Sequence, residues 1–268
     1  MRERWRAWLD AERTRKFMRE VGGIILGVLI ALGLGAVATE IGWQVEVFSA
    51  RRAIAPELGE LIGQGDERVR VSRCVQRRLD RVADLLEDAA RFSQLPPLAP
   101  INVPPYRTWP RGVWDSTISA QTAAHFEREE LDNYSTTYDF IEQIERAHMR
   151  ELEVWTTLHA IVGPGRPIAP DELADLRAAV SEARYLDRFV ALNAVRMHQV
   201  ADAYRLAYER ETADEYLRPL PSYPICRPIG NAVPRRYGEA PLAGAVERAV
   251  ASPITRDSLG LEAAPAKR

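Results

Sequence analysis

The chain has 268 residues and a net charge of −2, so whole-molecule electrostatics favour neither nucleic acid nor a polyanionic substrate as its partner. That length is enough to bury a core, in one large domain or two small ones. Arginine supplies nearly all the positive charge, with Lys16 and Lys267 the only lysines, a bias of a GC-rich bacterial genome; the two cysteines, Cys74 and Cys226, are too few for a cysteine-based zinc site.

Residues 1–20 read as a basic head carrying Arg2, Arg4, Arg6, Arg13, Arg15, Lys16 and Arg19. Beyond it, no residue between Glu20 and Glu40 is charged. Val21 to Thr39 would measure about 28 Å as a helix, close to the hydrocarbon thickness of a bilayer. A helix in the core of a soluble protein would show polar positions along one side, and none occurs before Thr39. The pattern predicts a transmembrane helix over 21–43, with the lipid bilayer as its first partner. Only Arg51 and Arg52 follow closely, so the positive-inside rule puts the head in the cytoplasm and the bulk of the chain in the periplasm of a bacterial inner membrane. Trp5, Trp8 and Phe17 on one side and Trp43 on the other suit anchoring at the interfaces. Ile41, Val45 and Phe48 carry a helical stripe out of the span, and no later segment is long and apolar enough to cross back. A cleaved signal peptide is the competing reading, because Ala36, Val37 and Ala38 fit the small-residue cleavage pattern.

Inside the run, Gly23, Gly27, Ala31, Gly35 and Thr39 recur every four residues. Small residues at this spacing let a second backbone approach closely in lipid, where association depends on packing. They predict a helix-pairing face for a second copy of the chain or another membrane protein; ordinary glycine and alanine usage in bacterial spans is the plain alternative.

Glu20, an apolar octet and Leu29-Ile30-Ala31-Leu32 resemble the opening of an uncharacterised bacterial family of small single-span proteins. Members begin with a short basic segment and a glutamate-led span of the type E-I-x-L-V-x-I-G-I-L-I-A-L. The likeness covers residues 13–35 and implies an α-helical extramembrane region with no assigned activity. The family's polar, Asn- and Trp-bearing exit is replaced here by "GLGAVAT".

The expected fold class is all-α: the span, then an antiparallel helical bundle over 44–216 with a Pro-rich linker, then a Pro-rich, largely irregular tail over 217–268. No sustained alternation or Asn-Gly turn suggests a strand. The first helix is expected to reach about Gln64, with a kink or restart at Pro56. A second would be capped by Ser72 and striped by Val75, Leu79, Val82, Leu86 and Ala90. Residues 94–112, "QLPPLAPINVPPYRTWPRG", read as an extended linker. A third helical region, about 115–162, carries Tyr138, Ile141, Ile144, His148, Leu152, Trp155, His159 and Val162, with one break expected in "DNYSTTYDF". "GPGRPIAP" then reverses the chain. A fourth helix starts near Asp171 and buries Leu173, Leu176, Val180, Ala183, Val190, Met197, Val200 and Tyr204, with 206–216 finishing it. A short helix is expected around 242–250.

Chemistry is sparsely signalled, and no catalytic, cofactor or metal residue is assigned. Glu145 and His148 have the Glu-x-x-His spacing of a di-iron bundle, but the positions three before His125, His159 and His198 are Thr122, Thr156 and Val195. His148 and His159 therefore read as satisfied core histidines, with pH sensing as the alternative. His125 and Glu129 read as a stabilising i,i+4 pair. Trp114, in "VWDSTISAQT", is expected to wedge into the bundle, or else to edge a ligand site. No nucleophile elbow, phosphate-binding loop or dinucleotide fingerprint occurs. On the oxidising side of a membrane, Cys74 and Cys226 are expected to form a disulfide. The functional expectation is a structural or interaction protein that binds a partner through its span or bundle, not an enzyme; a sensory or ligand-binding bundle acting through a partner is second.

Overall fold

The computed structural model describes residues 2–229, with side chains from residue 17 onward. The helix expected around 242–250, the side chains of the basic head and most of the expected tail lie outside the described residues. The protein is all-α, with one two-stranded exception. In order come α1 (Arg2–Phe92), β1 (Gln94–Leu95), α2 (Gly112–Ser119), α3 (Arg128–Leu158), β2 (Arg166–Pro167), α4 (Pro170–Ala203) and α5 (Arg210–Asp214), with short 3₁₀ turns between and after them.

The expected first and second helices are one. α1 passes through both Pro56 and Ser72 without ending. A proline inside a helix loses one backbone hydrogen bond and costs about 3 kcal/mol. Here Ile54, Leu58, Leu61 and Ile62 are all fully buried on either side of it, and their packing outweighs the local loss. Ser72 caps nothing; its hydroxyl donates to Asp187 at 2.7 Å.

The chain folds as two compact units, each drawn from three stretches. The first takes the chain up to Glu67, Arg107–Glu145 and Leu192–Arg218. In it α1 and α3 run parallel, as the pairs Arg51–Glu130 and Glu57–Tyr138 require. An all-antiparallel bundle was expected, but the long connection after α1 frees the next long helix to take the same direction. Trp114 of α2 stacks on Tyr138 with ring centroids 5.0 Å apart, the wedge its sequence suggested. The Glu57 carboxylate accepts the amides of Val113 and Trp114 at 2.7 and 3.2 Å and so closes the N-terminus of α2. α3 is unbroken through "DNYSTTYDF"; the break comes earlier, at a 3₁₀ turn over Thr122–His125. His125 therefore shares no helix with Glu129 and stacks on Trp43 instead, centroids 3.9 Å apart. α4 stops at Ala203, leaving Tyr204 exposed where a buried residue was expected. The following segment lies directly against α1: a Cβ at Gly59 or Gly63 would collide with the backbone of Glu209 or Ala213. Only glycine permits that approach.

The second unit takes Arg68–Tyr106, Arg146–Ala191 and the chain from Pro219. Val71, Val75, Leu79, Val82 and Leu86 of α1 are buried at helical spacing, with Ala89 inward in place of the expected Ala90. α1 and α4 run antiparallel here, Gln76 meeting Asp187 and Asp80 meeting Arg184. The "QLPPLAP" linker and "GPGRPIAP" reversal pair as β1 and β2, extended by reciprocal bonds between Leu98 and Gly163 at 2.9 and 3.0 Å. Two-residue strands leave no alternation to read, which is why the sequence showed none.

Candidate functional site

Within α1 the uncharged run is bare. Past Val21, its large side chains, among them Ile24, Leu26, Leu29, Ile30, Leu32, Leu34 and Val37, are all more than half exposed. A Cβ placed on Gly22, Gly23, Gly27, Gly33, Gly35 or Gly42 would meet nothing within 4 Å. One helix near the N-terminus is thus long and apolar enough to cross a membrane, with none of its most apolar window buried. Gly23, Gly27, Ala31, Gly35 and Thr39 all lie exposed along it. The Thr39 hydroxyl donates to the carbonyl of Gly35 at 3.0 Å, so the stripe's one polar group is satisfied within the helix. Ile41, at the end of the span, and Val45 and Phe48 beyond it remain exposed; the first buried side chain among the described residues is Val47. Trp43, expected as a free interfacial anchor, is half-covered by its stack on His125.

Cys74 and Cys226 are bonded, with Cα atoms 4.8 Å apart across 152 residues of sequence. Cys74 sits in the middle of α1 instead of opening a helix, and Cys226 ends the last 3₁₀ turn, Pro224–Cys226. One turn beyond Cys74, the buried Arg78 donates from Nη2 to the carbonyls of Ile225 and Arg227, so covalent and hydrogen bonds hold the same short segment.

The second unit also encloses a charged cluster that the sequence reading missed. Arg68, Glu151 and Asp187 are 1%, 0% and 0% exposed. Arg68 Nη2 donates to both oxygens of Glu151 at 2.8 and 2.9 Å and to Asp187 at 3.3 Å. Ser72 and Gln76 donate to the other Asp187 oxygen, each at 2.7 Å. His148 Nδ1 lies 3.5 Å from Glu151, and its ring tilts against Tyr106. Burial pushes the Glu151 carboxyl up, but the Arg68 charge and His148 outweigh it and hold the group below the usual range. For Asp187 burial wins over Arg68, Gln76 and Ser72, and the carboxyl is raised. The signal was present in the sequence: Glu151 falls at helical spacing between His148 and Trp155, and Asp187 between Ala183 and Val190. Charges in a buried register need partners on other helices.

The remaining candidates separate. Glu145 pairs with Arg111 at 3.7 Å, while His148 is buried beside Glu151. Among the described residues no group of three or more His, Cys, Asp or Glu could hold a metal ion. His159 is half-buried against the Trp155 carbonyl at 2.8 Å. His198, given no role from sequence, meets Asp66 at 2.9 Å and Tyr208 at 3.3 Å. Comparison with family models, curated proteins and solved structures found no match.

Proposed function

We propose that the protein is anchored in a bacterial inner membrane by a single retained span over 21–43, with the basic head cytoplasmic and the helical units periplasmic. Its role is to hold a partner through the span or through those units. What carries this reading is the bare stretch of α1: large apolar side chains on every side, no charge from Val21 to Thr39, and, among the described residues, no other segment packed against its glycines. In water such a surface would be a large liability, and in lipid it is the stable state. The head's seven basic residues support the orientation. A bonded Cys74–Cys226 pair agrees with an oxidising compartment. The stripe from Gly23 to Thr39 is the face we assign to a second copy or a membrane-protein partner, and kinship with the single-span family resembled by residues 13–35 belongs to the same proposal.

Reporter fusions after residue 229 test the orientation. A reporter active only in the periplasm should work there and a cytoplasm-dependent one should be silent; the reverse pattern overturns the proposal.

A further inference from the structure

Arginines that pack between helices or brace loops in this protein commonly face carboxylates: Arg51 faces Glu130, Arg68 Glu151, Arg107 Glu67, Arg111 Glu145, Arg150 Glu182, Arg166 Glu172 and Arg184 Asp80. Beside the disulfide that pattern stops. A cavity of about 330 Å³ there is lined by Arg77, Arg78, Arg81 and Arg227 together with the cystine and, among the described residues, by no carboxylate. Among the described residues none of the four arginines forms an ion pair. Arg77 Nη2 reaches only the Cys74 sulfur at 3.4 Å, and Arg227 donates to the carbonyls of Pro221 and Ser222. Arg78 is 4% exposed, and its Nη1 is buried without a hydrogen-bond partner. A buried charged donor left unsatisfied is costly, and four cations around one cavity repel each other. A bound anion removes both penalties.

We propose that this cavity binds a phosphate-class oxyanion, with Arg78 as its buried anchor and Arg77, Arg81 and Arg227 around it. Guanidinium groups suit the ligand because their planar donors match phosphate oxygens in pairs. The volume lies at the small end of ordinary ligand pockets and exceeds what one oxyanion fills, so a phosphate monoester fits the site as well as free phosphate does. The disulfide belongs to the site, because it fixes Cys226 and with it the segment that supplies Arg227.

The test is calorimetric titration of the full-length oxidised protein, in micelles of uncharged detergent, with inorganic phosphate and separately with glycerol 3-phosphate. Potassium chloride at matched ionic strength is the reference. Saturable binding of phosphate over chloride is expected; tighter binding of glycerol 3-phosphate identifies a monoester site, and equal binding a site for the oxyanion alone. Because Arg78 also clamps residues 225–227, the exposed Arg81 provides the decisive variant. Arg81→Gln should weaken binding by about tenfold with an unchanged melting temperature. Phosphate that binds no better than chloride overturns the proposal. So does binding that Arg77→Gln and Arg81→Gln both leave intact.

Discussion

Between Val21 and Trp43, α1 carries large apolar side chains on every side and almost all stay exposed. Between Ile54 and Ala89 the same helix buries one face, and its inward Glu57, Glu67 and Arg68 meet partners from other segments. Glycine makes the contrast concrete. Gly23 and Gly27 have open space around them, whereas Gly59 and Gly63, also four apart, are pressed against the backbone of residues 209–213. One helix therefore carries two kinds of surface, and the same small-residue spacing is packed in one stretch and open in the other.

Charging the bare stretch attacks the comparison hardest. Arg at a span's centre costs about 2.5–3.5 kcal/mol, so Ile30→Arg with Leu34→Arg should cost roughly 5–7 kcal/mol and release the protein from the membrane fraction. The same pair on a water-exposed helix face would change little. Retention of the double variant in carbonate-washed membranes would break the account of residues 21–43.

In the buried stretch the largest effect should come from Arg68. Arg68→Met leaves Glu151 and Asp187 enclosed without their cation and should destabilise the protein by about 3–5 kcal/mol in denaturant unfolding. Replacing all three, with Glu151→Leu and Asp187→Leu added, should recover most of that loss, because what is expensive is an uncompensated charge. A single variant as stable as the parent would mean the cluster is not buried in solution.

This cluster also marks the limit of what the sequence could show. Periodicity revealed the long helices and most of their inward faces, because apolar side chains at threes and fours need only local spacing to be recognised. It placed Trp114 correctly, since a large ring after a proline-rich linker has few other places to go. The continuity of α1 through Pro56 was not legible, as it depends on burial supplied by other stretches. Nor was the pairing of Leu95 with Arg166, whose partners lie 71 positions apart. Arg78 gave no local signal, because its environment is made by a tail segment 147 residues away.

Cys74→Ser with Cys226→Ser should come next in size. Opening a loop of 152 residues forfeits up to about 5 kcal/mol on the chain-entropy model, and about 2–5 kcal/mol is the expected loss of stability. Two free thiols per chain in denatured protein from an oxidising compartment would contradict the bond. The smallest effect belongs to the stripe: Gly27→Leu with Ala31→Leu should weaken span association by about 1–2 kcal/mol in a membrane dimerisation assay while leaving insertion intact. An unchanged signal would return those residues to ordinary composition.

The central claim is that residues 21–43 stay attached and stay in lipid. Mass spectrometry of protein from carbonate-washed membranes tests it most directly. The account predicts a chain that still contains this segment, covalently joined to the disulfide-linked bundle. A chain beginning after Ala38 and recovered in the soluble fraction would contradict it.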